Sequence, residues 1–292
     1  MITIKNEKLT VLIDELGAQL RSIKSVGGTE YLWQADDPAI WADQAPNLFP
    51  YIARLTEKQY TFEGKTYHMG SHGFAKDTVF AVEQDREDHA VFRIADSEES
   101  RAQYPFAFGL GIEYTLQGSS LAIRYMVENK DSKTMYFGVG GHPGFRVPLE
   151  EGLAFEDYYL EFDDAAEVLQ VGMSPDCYVT EKDVPFEMER GVILPLRHTM
   201  FDDDAIILTQ MSKGVTLKSD KSGKALRVFY PEMRYLGIWH RPFTEAAYVC
   251  IEPWSSLPSR KGIIEDLSTQ PSLLSLEPGK TYTNEYVIEV QE

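Results

Sequence analysis

Basic residues, cysteines and long apolar runs are all scarce in this 292-residue chain. Lys and Arg number 28 against 46 Asp and Glu, a formal net charge of −18. A nucleic-acid binder needs a basic stripe to neutralise phosphates, and an anionic membrane surface would repel so acidic a chain. Neither partner is expected. No run of about 18 apolar residues occurs, so no transmembrane helix is expected. The opening MITIKNEKLTVLID is charged throughout, where a secretory leader would be apolar. Two cysteines are too few for a disulfide framework; Cys250, inside the apolar run AAYVCI, reads as a buried thiol. Together these deficits point to a cytoplasmic protein.

Several chemical signatures are missing too. There is no GxGxxG after a strand and no GxxxxGK[ST], so no nucleotide cradle is expected. No HxH or CxxC spacing supports a metal, and no GxSxG elbow supports a serine nucleophile. No cofactor is therefore expected. With no Pro/Gly/Ser-rich linker and no fixed-period repeat, residues 1–292 read as one domain.

What the chain does have is alternation. In LAIRYMVENK, Leu121, Ile123, Tyr125 and Val127 fall on one face, and Arg124 and Glu128 on the other. TNEYVIEV, KLTVLID, AQLRSIKS, TVFAVEQ, HAVFRIAD, AIILTQ, GVTLKS and ALRVFY behave alike, separated by turn residues such as Gly27-Gly28 and Gly118-Ser119. Roughly twenty short strands are predicted, with helical turns only at residues 37–43 and 260–267. So many strands need two stacked sheets or a barrel to cover their inner faces, which makes the chain all-β. Residues 150–189 hold 13 acids and one base, Lys182, and so carry −12 of the total charge. That run reads as a solvated surface, with docking of a basic partner as the alternative.

Chemistry-bearing residues are few. His72 and His142 lie in SHGF and GHPGF. Glycine permits close backbone approach and the neighbouring Phe offers an apolar wall. Glu252 ends an apolar run beside Pro253-Trp254, where partial desolvation would raise its pKa into the range of a usable base; Arg54 or Arg241 would be its partner. Arg54 is the one cation in NLFPYIAR, and either satisfies a buried carboxylate or presents its fork to a polar ligand. Trp33, Trp239 and Trp254 are core residues or sugar-stacking platforms. His68, His89 and His198 read as structural or surface residues.

In order along the chain, LIDELGAQLRSIKS, NLFPYIARL, SHGFA, GGHPGFRVPL, FDDDAIIL, YLGIWHRP, YVCIEPW and LEPGKTYTNEYVIEV resemble the aldose 1-epimerase (galactose mutarotase-like) family over nearly the whole length. The resemblance implies a large antiparallel β-supersandwich and metal-free interconversion of the α and β anomers of a small-molecule sugar. It implies Glu252 as general base on the C1 hydroxyl and His142 as general acid at the ring oxygen. His72 and Arg54 would bind the sugar, as would an aspartate of FDDDA, Asp204 in preference to Asp203. Trp239 would shape the pocket, and the protein would be a monomer or homodimer. Wording around GHPGF and Trp239-His240-Arg241 differs from the galactose-specific enzymes, which leaves the sugar open. A hexose 6-phosphate would need cations such as Arg54, Arg146 and Arg241, and the −18 charge counts against it. Two further readings are a sugar-binding protein without turnover and a metal enzyme using His72, His142 and Glu252.

Overall fold

The computed structural model describes residues 1–180 and 182–292; Glu181, one of the acids of the 150–189 run, lies outside the described residues. Alternation becomes strand almost wherever it was expected, giving 24 strands among the described residues. Ser120–Asn129 is the clearest case. Leu121, Ile123, Tyr125 and Val127 are buried, and the strand pairs antiparallel with Phe108–Gln117 on one side and Thr281–Gln291 on the other.

Two large antiparallel sheets dominate. The first has nine strands, in the order Ile193–Pro195, Tyr159–Phe162, Gly214–Lys218, Ala225–Phe229, Thr281–Gln291, Ser120–Asn129, Phe108–Gln117, His89–Ala95, Ala81–Arg86. The second has eight. Its centre is Tyr248–Trp254, flanked by Tyr235–Trp239 on one side and by Gly140–Gly141 and Gly144–Arg146 on the other. Inner-face residues of both sheets, including Ile123 and Ile288 from the first and Val249 and Ile251 from the second, join one buried apolar cluster. The architecture is the expected β-supersandwich. Among the described residues, no helix is long and apolar enough to cross a membrane.

The helical turns were misplaced. Residues 37–43 form only a reverse turn, in which the Ile40 and Trp41 amides donate to the Asp37 carbonyl. Residues 260–267 are turns closed by the Arg260–Glu265 ion pair, 2.7 Å. In both, a local helical pattern yields to a side-chain or loop contact. The one α-helix among the described residues is Glu98–Gln103, opened by a reciprocal capping box between Ser97 and Ser100.

Candidate active site

The outer face of the eight-stranded sheet carries the chemistry. All seven residues of Tyr248–Trp254 are buried. Their period-2 alternation sends Val249 and Ile251 into the main core and leaves Cys250, Glu252 and Trp254 on the opposite face. Glu252 is thus not at the mouth of a strand but inside one, 1% exposed. Its cross-strand partner is Gly237. A Cβ there would lie 3.1 Å from the Trp254 ring and 3.3 Å from the Glu252 Cβ, so the glycine makes room for both side chains.

The GHPGF segment flanks the same strand, with Gly144 opposite Cys250. It places His142 Nε2 3.2 Å from Glu252 Oε2. The contact is close but not aligned as a hydrogen bond. Among the described residues, Glu252 Oε2 and His142 Nδ1 are buried with no hydrogen-bond partner, while the Trp254 side chain acts on the Glu252 carboxyl. Buried polar atoms are rarely left so; two together on one cleft are placed to receive polar groups from outside.

His72 approaches from the SHGF turn. It adopts a left-handed φ of 65° and Gly73 one of 73°. A Cβ on Gly73 would fall 2.2 Å from the Phe49 carbonyl oxygen, so only glycine fits. The Ala53 amide donates to His72 Nδ1 (3.2 Å), which leaves Nε2 as the protonated, donating nitrogen of the neutral ring. Neighbouring Arg54 donates from Nη1 to the Asp176 carbonyl (2.9 Å), while its Nη2 stands 3.7 Å from Asp204. Asp204 holds a left-handed φ of 75°, which aspartate tolerates, and accepts from Trp239 Nε1 at 2.8 Å.

These side chains line one cleft of about 360 Å³, within the range of small-molecule sites. Glu252, His142, His72, Arg54, Asp204 and Trp239 all face it, as does Trp254. Asp203 and Arg146 do not; Arg146 pairs with Asp36 elsewhere. Nor, among the described residues, does Glu252 pair with an arginine: the basic side chain beside it is His142, and Arg54 turns to Asp204. Trp33 is a core residue, packed on Tyr248. His240 is fully buried behind the cleft, stacked on Tyr248. Sequence reasoning missed Trp41, Ser71, Cys177 and Phe243 in the lining. Cys177 and the Asp176 carbonyl come from the acidic run, which therefore reaches the site although it is remote in sequence.

Burial sets the electrostatics. It pushes the Glu252 carboxyl well above its ordinary range, with the negative charge of Asp204 acting in the same direction. It pushes His142 well below the ordinary imidazole value, reinforced by His72. His72 itself falls to about 4, through burial first and then the charges of Lys76 and Arg54. Near neutrality the Glu252–His142 pair therefore holds one proton between two groups that both resist charge. Such a pair can take a proton at one oxygen and deliver one at a neighbouring nitrogen.

The metal reading fares poorly on its donors. The one trio of potential ligand side chains converging among the described residues is His142, Cys250 and Glu252, not the expected His72, His142 and Glu252. Burial drives the Cys250 thiol well up, away from the thiolate that metal ligation needs.

Comparison with known proteins accords with this geometry. The family model described as aldose 1-epimerase matches residues 1–289. The chain is 36% identical to chromosomal Protein LacX of Lactococcus lactis subsp. lactis over 291 residues, covering 96% of each chain. A galactose mutarotase related enzyme from Lactobacillus acidophilus superposes with a TM-score of 0.94 at 33% identity, covering 100% of this chain and 97% of the other. A galactose mutarotase-like protein from Lactobacillus casei does so with a TM-score of 0.94 at 30% identity over the full length of both.

Proposed function

The chain belongs to the aldose 1-epimerase family, a family of isomerases, and on that premise we propose that its cleft interconverts the α and β anomers of an aldose, with the chain acting as one domain. The reading rests on one observation above all: a buried carboxylate with an oxygen that has no partner among the described residues, 3.2 Å from a largely buried imidazole, at a small-molecule cleft.

Mutarotation needs one proton removed and another supplied. In its ionic form, Glu252 as carboxylate takes the proton from the C1 hydroxyl while the C1–O5 bond breaks. His142 as imidazolium gives its proton to O5. The open-chain aldehyde turns about C1–C2, and reclosure in the reverse sense delivers either anomer, with the pair's proton count restored. No electrophilic metal is called for, because a carboxylate and an imidazole supply both transfers. His72 Nε2–H, Arg54 and Asp204 would hold sugar hydroxyls and fix the ring between the pair. Trp239, tied to Asp204, would close one wall. Of the three arginines a phosphorylated sugar would call on, Arg146 is turned away and Arg54 is shared with Asp204 and the Asp176 carbonyl, while Arg241 does line the cleft; an uncharged aldose is the reading that needs fewest cations there.

Polarimetry on freshly dissolved α-glucose, α-galactose and a hexose 6-phosphate tests the reading. Acceleration over buffer for at least one unphosphorylated sugar is expected. Binding of sugars with no acceleration of any would overturn it in favour of a binding protein, and preference for the phosphate would overturn the substrate class.

A further inference from the structure

We propose that Trp41 is a positioning residue for the reaction, covering one face of His142 and favouring its proton-donating form; this rests on the acid–base reading above. Trp41 sits in a loop that the local sequence pattern marks only as a turn. Yet its ring stacks on the His142 imidazole, centroids 5.2 Å apart at 29°, and on Tyr248 at 5.2 Å and 26°. Its edge meets Trp239 at 5.6 Å and 77°. The loop is stitched to the segment carrying His142. The His142 amide donates to the Pro46 carbonyl (3.0 Å) and the Gly144 amide to that of Gln44 (2.8 Å), while Trp33 Nε1 holds the Trp41 carbonyl at 3.1 Å.

The second glycine of GHPGF acquires a reason from this contact. Gly144 is not among the residues with left-handed φ, so its backbone does not demand glycine. A Cβ there, however, would lie 2.4 Å from Trp41 Cζ3. The glycine is the space that Trp41 occupies.

The groups around His142 leave this role open. Glu252, at 3.2 Å, favours a positive imidazole but must give up its own charge during the cycle, and Asp204 acts on it in turn. His72, at 5.4 Å and 73°, opposes a positive charge. The Cys250 thiol, within 4.8 Å, is neutral, and Trp239 crosses the imidazole at 83°. Among the described residues, Trp41 is the aromatic ring that stacks on the imidazole. An indole face attracts a desolvated imidazolium by an amount equal to about a 5- to 30-fold change in its population.

The test is Trp41→Leu, Trp41→Phe and Gly144→Ala, the last displacing Trp41 without removing it. In each, His142 is titrated by NMR with labelled histidine, and anomer exchange is followed against pH. Trp41→Leu should lower the His142 titration point, cut kcat about 5- to 30-fold with KM little changed, and move the acid limb of the kcat profile, where His142 takes up a second proton, to lower pH. Gly144→Ala should shift these readouts in the same direction, and Trp41→Phe should recover most of the loss. An unchanged His142 titration overturns the proposal whatever the turnover. So does a rise in KM alone, which would make Trp41 a platform for the sugar. The failure of the acid–base reading looks different: Glu252→Gln would then turn over sugar like the wild type.

Discussion

Residues 150–189 and the cleft hold acids under opposite conditions. On the acidic run, cations from elsewhere in the chain come to meet the carboxylates: Lys221 to Asp157, Lys218 to Glu161 (2.8 Å), Arg227 to Asp163 (2.6 Å) and Lys261 to Asp176 (3.1 Å). These pairs lie at the surface, where water screens them and each contributes little. In the cleft the Glu252 carboxylate is almost sealed from solvent and, among the described residues, has no arginine or lysine partner and leaves an oxygen without a hydrogen bond. Most of the protein's charge is therefore chemically quiet. The reactive charge is the one the fold isolates, because desolvation, not the number of acids, shifts a proton affinity.

The largest effect that would sharpen this contrast is at His142. His142→Gln should lower anomer exchange by about 10²- to 10⁴-fold, measured by NMR exchange spectroscopy, because the proton to O5 is lost. Gly73→Ala comes next. Its left-handed φ and the 2.2 Å approach to the Phe49 carbonyl predict a loss of about 2–4 kcal/mol in denaturant unfolding, with His72 displaced. A smaller effect is the acid sensitivity of the buried histidines. His72 and His240 both stand near 4 in the folded protein, with burial the main cause, against about 6.5 unfolded. Between those values the unfolded chain binds more protons, so stability should fall as pH drops from about 6.5 to about 4. The slope is at most about 1.4 kcal/mol per pH unit for each histidine, read from melting curves. His240→Phe should flatten that slope. Smallest of all, Asp163→Asn on the acidic run should change stability by less than about 1 kcal/mol and leave turnover unaltered. A large loss there would break the contrast between the two regions.

Much of this was legible in the sequence. The period-2 strands and the all-β architecture follow from side-chain alternation, which is local. Glu252, His142, His72, Arg54, Asp204 and Trp239 were identified as candidates and do converge on one cleft. What escaped was relational. Glu252 was assigned an arginine partner, but pairing of Gly144–Arg146 with Tyr248–Trp254, about a hundred residues apart, brings His142 there instead. Trp41 lies in a stretch whose local pattern says only turn, and nothing nearby signals the ring it covers. Cys177 and the Asp176 carbonyl belong to a run whose composition says surface, yet the chain carries them to the cleft wall. Strand pairing at long range decides such contacts, and no window of the sequence contains both partners.

Glu252→Gln tests the central claim most directly, with anomer exchange, sugar affinity and melting temperature measured on the same protein. The account predicts a fall in exchange of about 10³-fold or more with affinity held within a few-fold. It also predicts a higher melting temperature above neutral pH. The folded carboxyl's raised proton affinity opposes folding increasingly as pH rises above the unfolded value of about 4.5, and glutamine removes that penalty. Wild-type exchange in this variant, or affinity lost in step with turnover, would contradict the assignment of Glu252 as the proton acceptor.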